Sequence, residues 1–510
     1  MTQSRKRILI GSCALAGIVV LWIGWRVYVF TAGSTLQVGP TTTVVNGPMR
    51  SDGSLDFEAA LHQQVSVGVT PENNVVVLLA NTLGPGEVPA ELRERYYQYL
   101  GIPELPERGD YFVSQQTFSQ QITDSPTPHG EKYFALLDEM SVAQERPWTR
   151  NEHPRVLAWI EVNQEHLKLI DQASLRSHFY LPMVSAEGLL AAPLPLLQDL
   201  RGVVRLLVSR AMLRIAEGDL DGAANDLLIC HRLAALVGRN SPVIGNLVAI
   251  AMDSMATTSD QVLLAQPLTA EQIQRFQKEI LAQTNITEMA ATIDQYERLT
   301  ALDAMQALWR GTSALSENKQ FLHLSKVDIN VALRRFNAYF DTLLTAMRTE
   351  GVQKRLRAIE SLDAEQKAQT KELFTFKKVA TRLLWSSRKE VHESIADVFL
   401  RFVSTPSVHV QIAEDRARMR RELLRLGLAL ALYRAKHGNY PDKLDSLKPD
   451  YLEQIPIDRF VDQPLHYKLL PDGYLLYSVG EDGKDNEGQP KQGGKPGDLA
   501  FKVTHKSPSE

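Results

Sequence analysis

The stretch Arg210-Ala-Met-Leu-Arg-Ile-Ala-Glu-Gly-Asp-Leu-Asp-Gly-Ala-Ala-Asn-Asp-Leu-Leu-Ile-Cys-His-Arg-Leu-Ala234 reads as one helix, a Gly218-Asp219 turn and a second helix. Its small residues Ala211, Gly218 and Ala224 allow two antiparallel helices to approach closely. Outward from it, Val203 to Leu400 is helical by spacing and nearly free of proline. The chain is therefore read as mainly α over an ectodomain spanning 53–405.

Toward the N-terminus, Pro89 to Leu100 reads as a helix stopped by Gly101. Thr70-Pro71-Glu72 reads as an N-cap, an N1 proline and a first-turn acid of a helix closed by Gly84-Pro85. Helices resume near Glu131, after a loop holding Pro103, Pro106, Pro126 and Pro128. Residues 26–52, rich in Gly, Thr, Val and Pro, read as a stalk. Before them, Ile8 to Trp25 carries no charge, is preceded by Arg5-Lys6-Arg7 and is closed by Arg26. That length just spans a bilayer core, and the cations on its N-terminal side place residues 1–7 in the cytoplasm. The expectation is a bacterial inner-membrane protein with one transmembrane helix at 8–25 and its C-terminal ectodomain in the periplasm. A cleaved signal peptide is the alternative, since Thr31-Ala32-Gly33 offers small residues. The long apolar run and the intervening Arg26 favour retention.

The 510 residues carry a formal net charge of -4, which lacks the basic footprint of a nucleic-acid binder. Two cysteines, Cys13 in the anchor and Cys230 in a helix, do not make a disulfide scaffold. The 210–234 hairpin loosely resembles a tetratricopeptide unit, but no second copy follows at the period of about 34 residues. Ordinary helical packing is the simpler reading.

At the C-terminus, a long helix from near Ser407 to His437 is apolar on nearly all sides between Leu426 and Tyr433, so that portion is expected to be buried. Gly438 stops it. Then follow Asn439-Tyr440-Pro441, Ile455-Pro456-Ile457-Asp458 and two alternating runs, Leu465 to Leu470 and Tyr474 to Val479, joined by Pro471-Asp472-Gly473. This is a hairpin signal, and Leu499 to Val503 supplies a third strand. Residues 406–510 are thus expected to form a small α+β module with a three-stranded antiparallel sheet.

The order of long helix, Gly-x-Tyr-Pro, Pro-x-Asp, hairpin, Ser478-Val479-Gly480-Glu481-Asp482-Gly483 and Gly497-Asp498 resembles the globular head of the type II secretion major pseudopilin. That resemblance implies a calcium ion in the loop after the hairpin, with Asp482 and Asp498 as ligands. Asp485 is a possible third ligand that the family pattern does not require. Two pseudopilin features are missing: no Glu lies between Ile8 and Trp25, and residues 26–405 separate the anchor from the head. The complete layout resembles a family of uncharacterised bacterial membrane-anchored proteins, which implies an architecture and no activity.

No zinc-protease, nucleophile-elbow, Walker or dinucleotide motif is present. His392-Glu393 and Cys230-His231 are adjacent pairs whose members point to different sides of a helix. Asp294, Glu297 and Arg298, which share a helical face, form with Asp303 the best acidic constellation, and Asp226 with His231 is a second. Both patterns are commonest as ion-pair faces. The stretch Phe374 to Trp385 is amphipathic and basic, suited to a neighbouring helix or to lipid headgroups. The functional expectation is a membrane-anchored extracytoplasmic scaffold with a protein partner in the envelope. The alternative is an envelope hydrolase whose site is assembled from distant helices.

Overall fold

The computed structural model describes residues 34–86, 88–123, 131–283, 287–312, 328–373, 387–403, 407–490 and 497–505. The expected anchor at 8–25 and the stretch Phe374 to Trp385 lie outside these residues. Among the described residues, no helix is long and apolar enough to cross a membrane.

The chain is mainly helical. The helices are α1 (Phe57–Val65), α2 (Val75–Leu83), α3 (Ala90–Leu100), α4 (Gln115–Thr123), α5 (Glu131–Glu145), α6 (Pro154–Val162) and α7 (Gln164–Ser174). They continue with α8 (Pro195–Ala216), α9 (Leu220–Val237), α10 (Val243–Leu264) and α11 (Ala270–Ala282). Helix α12 runs from Met289–Thr292 through a π turn at Ile293–Glu297 into Arg298–Arg310. After it come α13 (Ile329–Met347), α14 (Val352–Leu373), α15 (Arg388–Val403) and α16 (Ser407–His437). The named strands all lie in the last part of the chain. A two-residue ribbon pairs β1 (Ile457–Asp458) with β2 (Gln463–Pro464), and an antiparallel sheet orders β3 (His466–Leu470), β4 (Gly473–Ser478) and β5 (Leu499–Thr504) as 3-4-5.

Local chemistry sets these boundaries. Helices α8 and α9 form the expected hairpin: Gly218 takes φ +80, a value that favours glycine, and Asp219 caps α9 by accepting from the Gly222 amide at 3.0 Å. Helix α3 ends at Gly101 as expected. The start of α2 differs from the sequence reading. Thr70-Pro71-Glu72 lies in a turn, and Asn74 is the N-cap, its side chain accepting from the Val76 amide. The competing bonds explain the shift. Asn73 accepts from the Thr70 amide at 2.8 Å, and the Val75 amide donates to the His178 carbonyl at 2.9 Å, so the chain between Thr70 and Asn74 is committed to a turn.

Residues 34–52 of the segment read as a stalk lie against the body. Asn330 bonds the backbone of Thr35 and Gln37, and Asn337 donates to the Thr41 and Thr42 carbonyls at 3.1 and 2.8 Å. Both asparagines sit on α13 and satisfy backbone groups that have no strand partner.

The C-terminal module shares its core with the helices. Leu426 to Leu432 is buried throughout, as its all-round apolar character predicts. Each such leucine contributes about 1.5–3 kcal/mol relative to exposure. Helix α16 packs on α10, α11 and α14 as well as on the sheet. Tyr474, Leu476, Phe501 and Val503 cover its other side in one continuous core that also contains Trp148 and Leu207. Gly427 makes this contact possible, because a Cβ there would lie 2.5 Å from Phe501 Cε1. A second core, containing Phe57, Leu302, Phe336 and Phe399, fills the other half of the body. Side-chain bonds fasten the sheet further. The Lys502 amide donates to Gln261 Oε1 at 2.8 Å, and Arg416 reaches both oxygens of Glu481 at 2.8 and 3.0 Å.

Candidate functional site

Along one side of α16, Glu414, Ala417, Arg418, Arg421, Glu422 and Arg425 recur at helical spacing and so form one stripe. A cleft of about 260 Å³ lies over the N-terminal part of this stripe, walled by Ile250 and Asp253 of α10, Glu288 before α12, and Arg459. A second cleft of about 440 Å³ continues from it over Arg425 and the segment 453–457. The two share Glu422 and Arg459, which makes them one groove. Its inner end is charged. Arg418 donates to Glu414 at 2.6 Å and lies 3.5 Å from Glu288. Burial pushes the Glu414 carboxyl up, against the pull of Arg418. Its outer lip is partly apolar, with Ile457 51% exposed.

Beneath the groove lies a buried charge clamp. His231 of α9 is enclosed between two acids of α10: Nδ1 is 2.8 Å from Asp253 and Nε2 is 2.9 Å from Asp260. Burial alone would push the imidazole down. The Asp260 charge and the hydrogen bonds to both acids outweigh it and raise it to about 10. The two carboxyls diverge. Burial pushes both up, but at Asp253 the His231 bond and the charges of Arg421 and Arg420 prevail and the carboxyl is lowered, whereas Asp260 stays raised. His231 is thus an imidazolium with both nitrogens bonded, which fixes the groove floor electrostatically and leaves no free base.

The residues singled out from the sequence are distributed differently. Asp226 does not meet His231. It is fully buried between Arg210, which reaches it at 3.0 and 2.5 Å, and Arg214 at 2.9 Å. The constellation around Arg298 also separates. Arg298 lies 2.9 Å from Asp294 and 2.8 Å from Asp341, tying α12 to α13. Glu297 accepts from the Val243 amide at the start of α10. The π turn at Ile293–Glu297 shifts the register that regular helical spacing assumes. Asp303 faces a different cleft. His392 accepts from the Asp328 amide at 3.1 Å.

Of the C-terminal acids, Asp498 does not fit a calcium site as it is arranged. Asp498 accepts from the amides of Asn486 and Gly488 through both oxygens, and also from the Asn486 side chain. Asp482 accepts from the Lys484 amide at 3.1 Å, and Asp485 from the Glu487 amide at 2.8 Å. At Asp498, N–H donors take both oxygens that a cation would need. Among the described residues, no three His, Cys, Asp or Glu side chains are grouped to hold a metal. The motif's Asp458 is a buried latch, accepting from the Ser478 hydroxyl and the Val479 amide at 3.0 and 2.8 Å. The signal for the clamp was present in the sequence as two acids seven residues apart on one helix. No protein-family model, curated protein or solved structure matches the chain.

Proposed function

We propose that this chain is a non-catalytic interaction protein of the bacterial envelope, anchored through 8–25 with its body outside the cytoplasm, and that the groove along α16 receives a segment of a protein partner. The joining of two clefts into one groove at Glu422 and Arg459, with a mixed-charge interior and an apolar lip, carries this reading. Alternating arginine and glutamate favour a partner segment that itself bears both charges, and the exposed isoleucine supplies the apolar contact that such interfaces need. A core continuous from the helices into the sheet keeps the groove walls fixed, so binding costs little ordering. His231, held on both nitrogens beneath the groove, is not a base open to it. The resemblance to a pseudopilin head adds an assembly-type precedent for the C-terminal module.

The test is photo-crosslinking from position 425 in intact cells, with position 142, exposed on α5, as the control site. The expected result is a defined adduct from 425 alone that disappears when Arg421→Glu and Arg459→Glu are combined. Failure to form an adduct, or an adduct indifferent to the charge reversals, would overturn the reading.

A further inference from the structure

A further cleft, of about 280 Å³, opens on the opposite core between α1, α3, the turn 185–188 and α12. Three arginines and several carboxylates converge on it, and most of them satisfy one another. Arg50 is 3.2 Å from Asp56, and Arg310 is 2.6 Å from Asp52. Arg95 donates to the Ser185 carbonyl at 2.7 Å, and Glu58 accepts from the Ser185 amide at 3.2 Å.

Two atoms are left over. Asp303 is only 2% exposed, and its Oδ2 accepts from the Leu189 amide at 2.7 Å. Its other oxygen has no hydrogen-bond donor among the described residues, and the side chain lines the cleft. Arg95 Nε is buried without a hydrogen-bond acceptor, lying 3.1 Å from Glu58 Oε1 but off the bonding direction. Gly188 holds Asp303 in place: its φ of +102 favours glycine, and a Cβ there would come 2.8 Å from Asp303 Oδ2. Burial also pushes the Asp303 carboxyl up, against the opposing pull of the Leu189 amide. Arg95 Nε is a buried donor without an acceptor, which is costly unless something meets it, and the second Asp303 oxygen faces the cleft without a donor of its own.

A simple anion would satisfy Arg95 and be repelled by Asp303 and Glu58, and a simple cation would suffer the reverse. A neutral polyol would bring no opposite charge to Asp303 or Arg95. We propose that this cleft binds a small zwitterion of the α-amino-acid type, with its ammonium on Asp303 and its carboxylate on Arg95. The volume suits a free amino acid or a dipeptide, which share this chemistry.

The test is isothermal titration of the full-length protein with the standard amino acids, with unblocked dipeptides, and with N-acetyl and C-amide derivatives of each. Binding is expected for at least one unblocked ligand, and blocking either end should weaken it about tenfold or more, the scale of one lost charge-assisted hydrogen bond. Free amino acids and dipeptides are separated by which of them binds. Asp303→Asn and Arg95→Gln should each weaken that ligand by a similar factor while melting with the wild type. No binding at millimolar concentration, or equal binding of the blocked forms, would overturn the proposal. That comparison needs only wild-type protein, so it decides even if a variant fails to fold. Retained affinity in variants that melt normally would also overturn it.

Discussion

Removing His231 should be far more damaging than its size suggests. His231→Leu would leave Asp253 and Asp260, both buried, without the cation that stands 2.8 and 2.9 Å from them. Breaking a buried ion pair by deleting one partner costs about 3–5 kcal/mol. With an unfolding entropy of about 2.1 cal/mol/K per residue, a body of several hundred residues that unfolds as one unit has roughly 1 kcal/mol/K at its midpoint, so the melting temperature should fall by about 3–5 °C. The pH dependence adds a sharper criterion. His231 is raised to about 10 from an ordinary 6.5, so its contribution is full below pH 6.5 and is lost as pH rises toward 10. The gap between wild type and His231→Leu should therefore be widest near pH 6 and close by pH 10. Asp260, whose carboxyl is also raised, favours the fold most below its unfolded value of 3.8 and opposes it as pH rises. Asp253 is lowered, so its share is lost only as pH falls below 3.8. Replacing Asp253 and Asp260 by asparagine alongside His231→Leu should recover much of the loss, because no uncompensated charge then remains. Thermal unfolding followed by circular dichroism across pH 5–10 checks these outcomes. A His231→Leu protein that melts with the wild type at pH 6, or a gap that does not narrow with rising pH, would refute the clamp.

Gly427→Ala should destabilise by about 1–3 kcal/mol despite alanine's better helix propensity, because its Cβ would meet the Phe501 ring at 2.5 Å; chemical denaturation measures this. Asp226→Ala should cost about 3–5 kcal/mol by leaving Arg210 and Arg214 facing a buried void, whereas Arg214→Ala, the more exposed partner, should cost less. Adding calcium or a chelator should leave the melting curve unchanged, since Asp498 is already held by N–H donors; a calcium-dependent rise lost in Asp498→Ala would establish the site that the pseudopilin resemblance implies. A reporter active only in the cytoplasm, fused after Glu510, should be silent if Ile8 to Trp25 is an anchor with the expected orientation.

The elements read well from sequence where local physics decides them. Gly101 and the Gly218-Asp219 turn stop or reverse helices because the backbone there has few other options, and Pro471-Asp472-Gly473 joins two strands for the same reason. The N-cap at Thr70 failed because it was local logic applied to a segment fixed from afar: the His178 carbonyl, a hundred residues on, takes the Val75 amide. The C-terminal module was likewise visible as a module but not as part of a shared core. The all-round apolar character of Leu426 to Tyr433 said that the helix was covered without saying by what.

Sites fare worse than elements for a related reason. Asp253 and Asp260 are two helical turns apart, so the sequence places both carboxylates on one face of α10. It does not say which neighbour presents a cation to that face. Choosing Asp226 as the partner of His231 relied on nearness along α9, yet the antiparallel α8–α9 hairpin turns Asp226 toward Arg210 and Arg214 while α10 covers the histidine. Charge adds a constraint that spacing lacks. A buried aspartate needs a cation, α9 carries one buried histidine, and α8 carries two arginines one turn apart at its C-terminal end. Matching buried acids to available cations across α8, α9 and α10 therefore gives the observed pairing once their adjacency is known. What one sequence withholds is that adjacency, because it is set by the summed packing of surfaces from Val75 to Val503 and by no single motif.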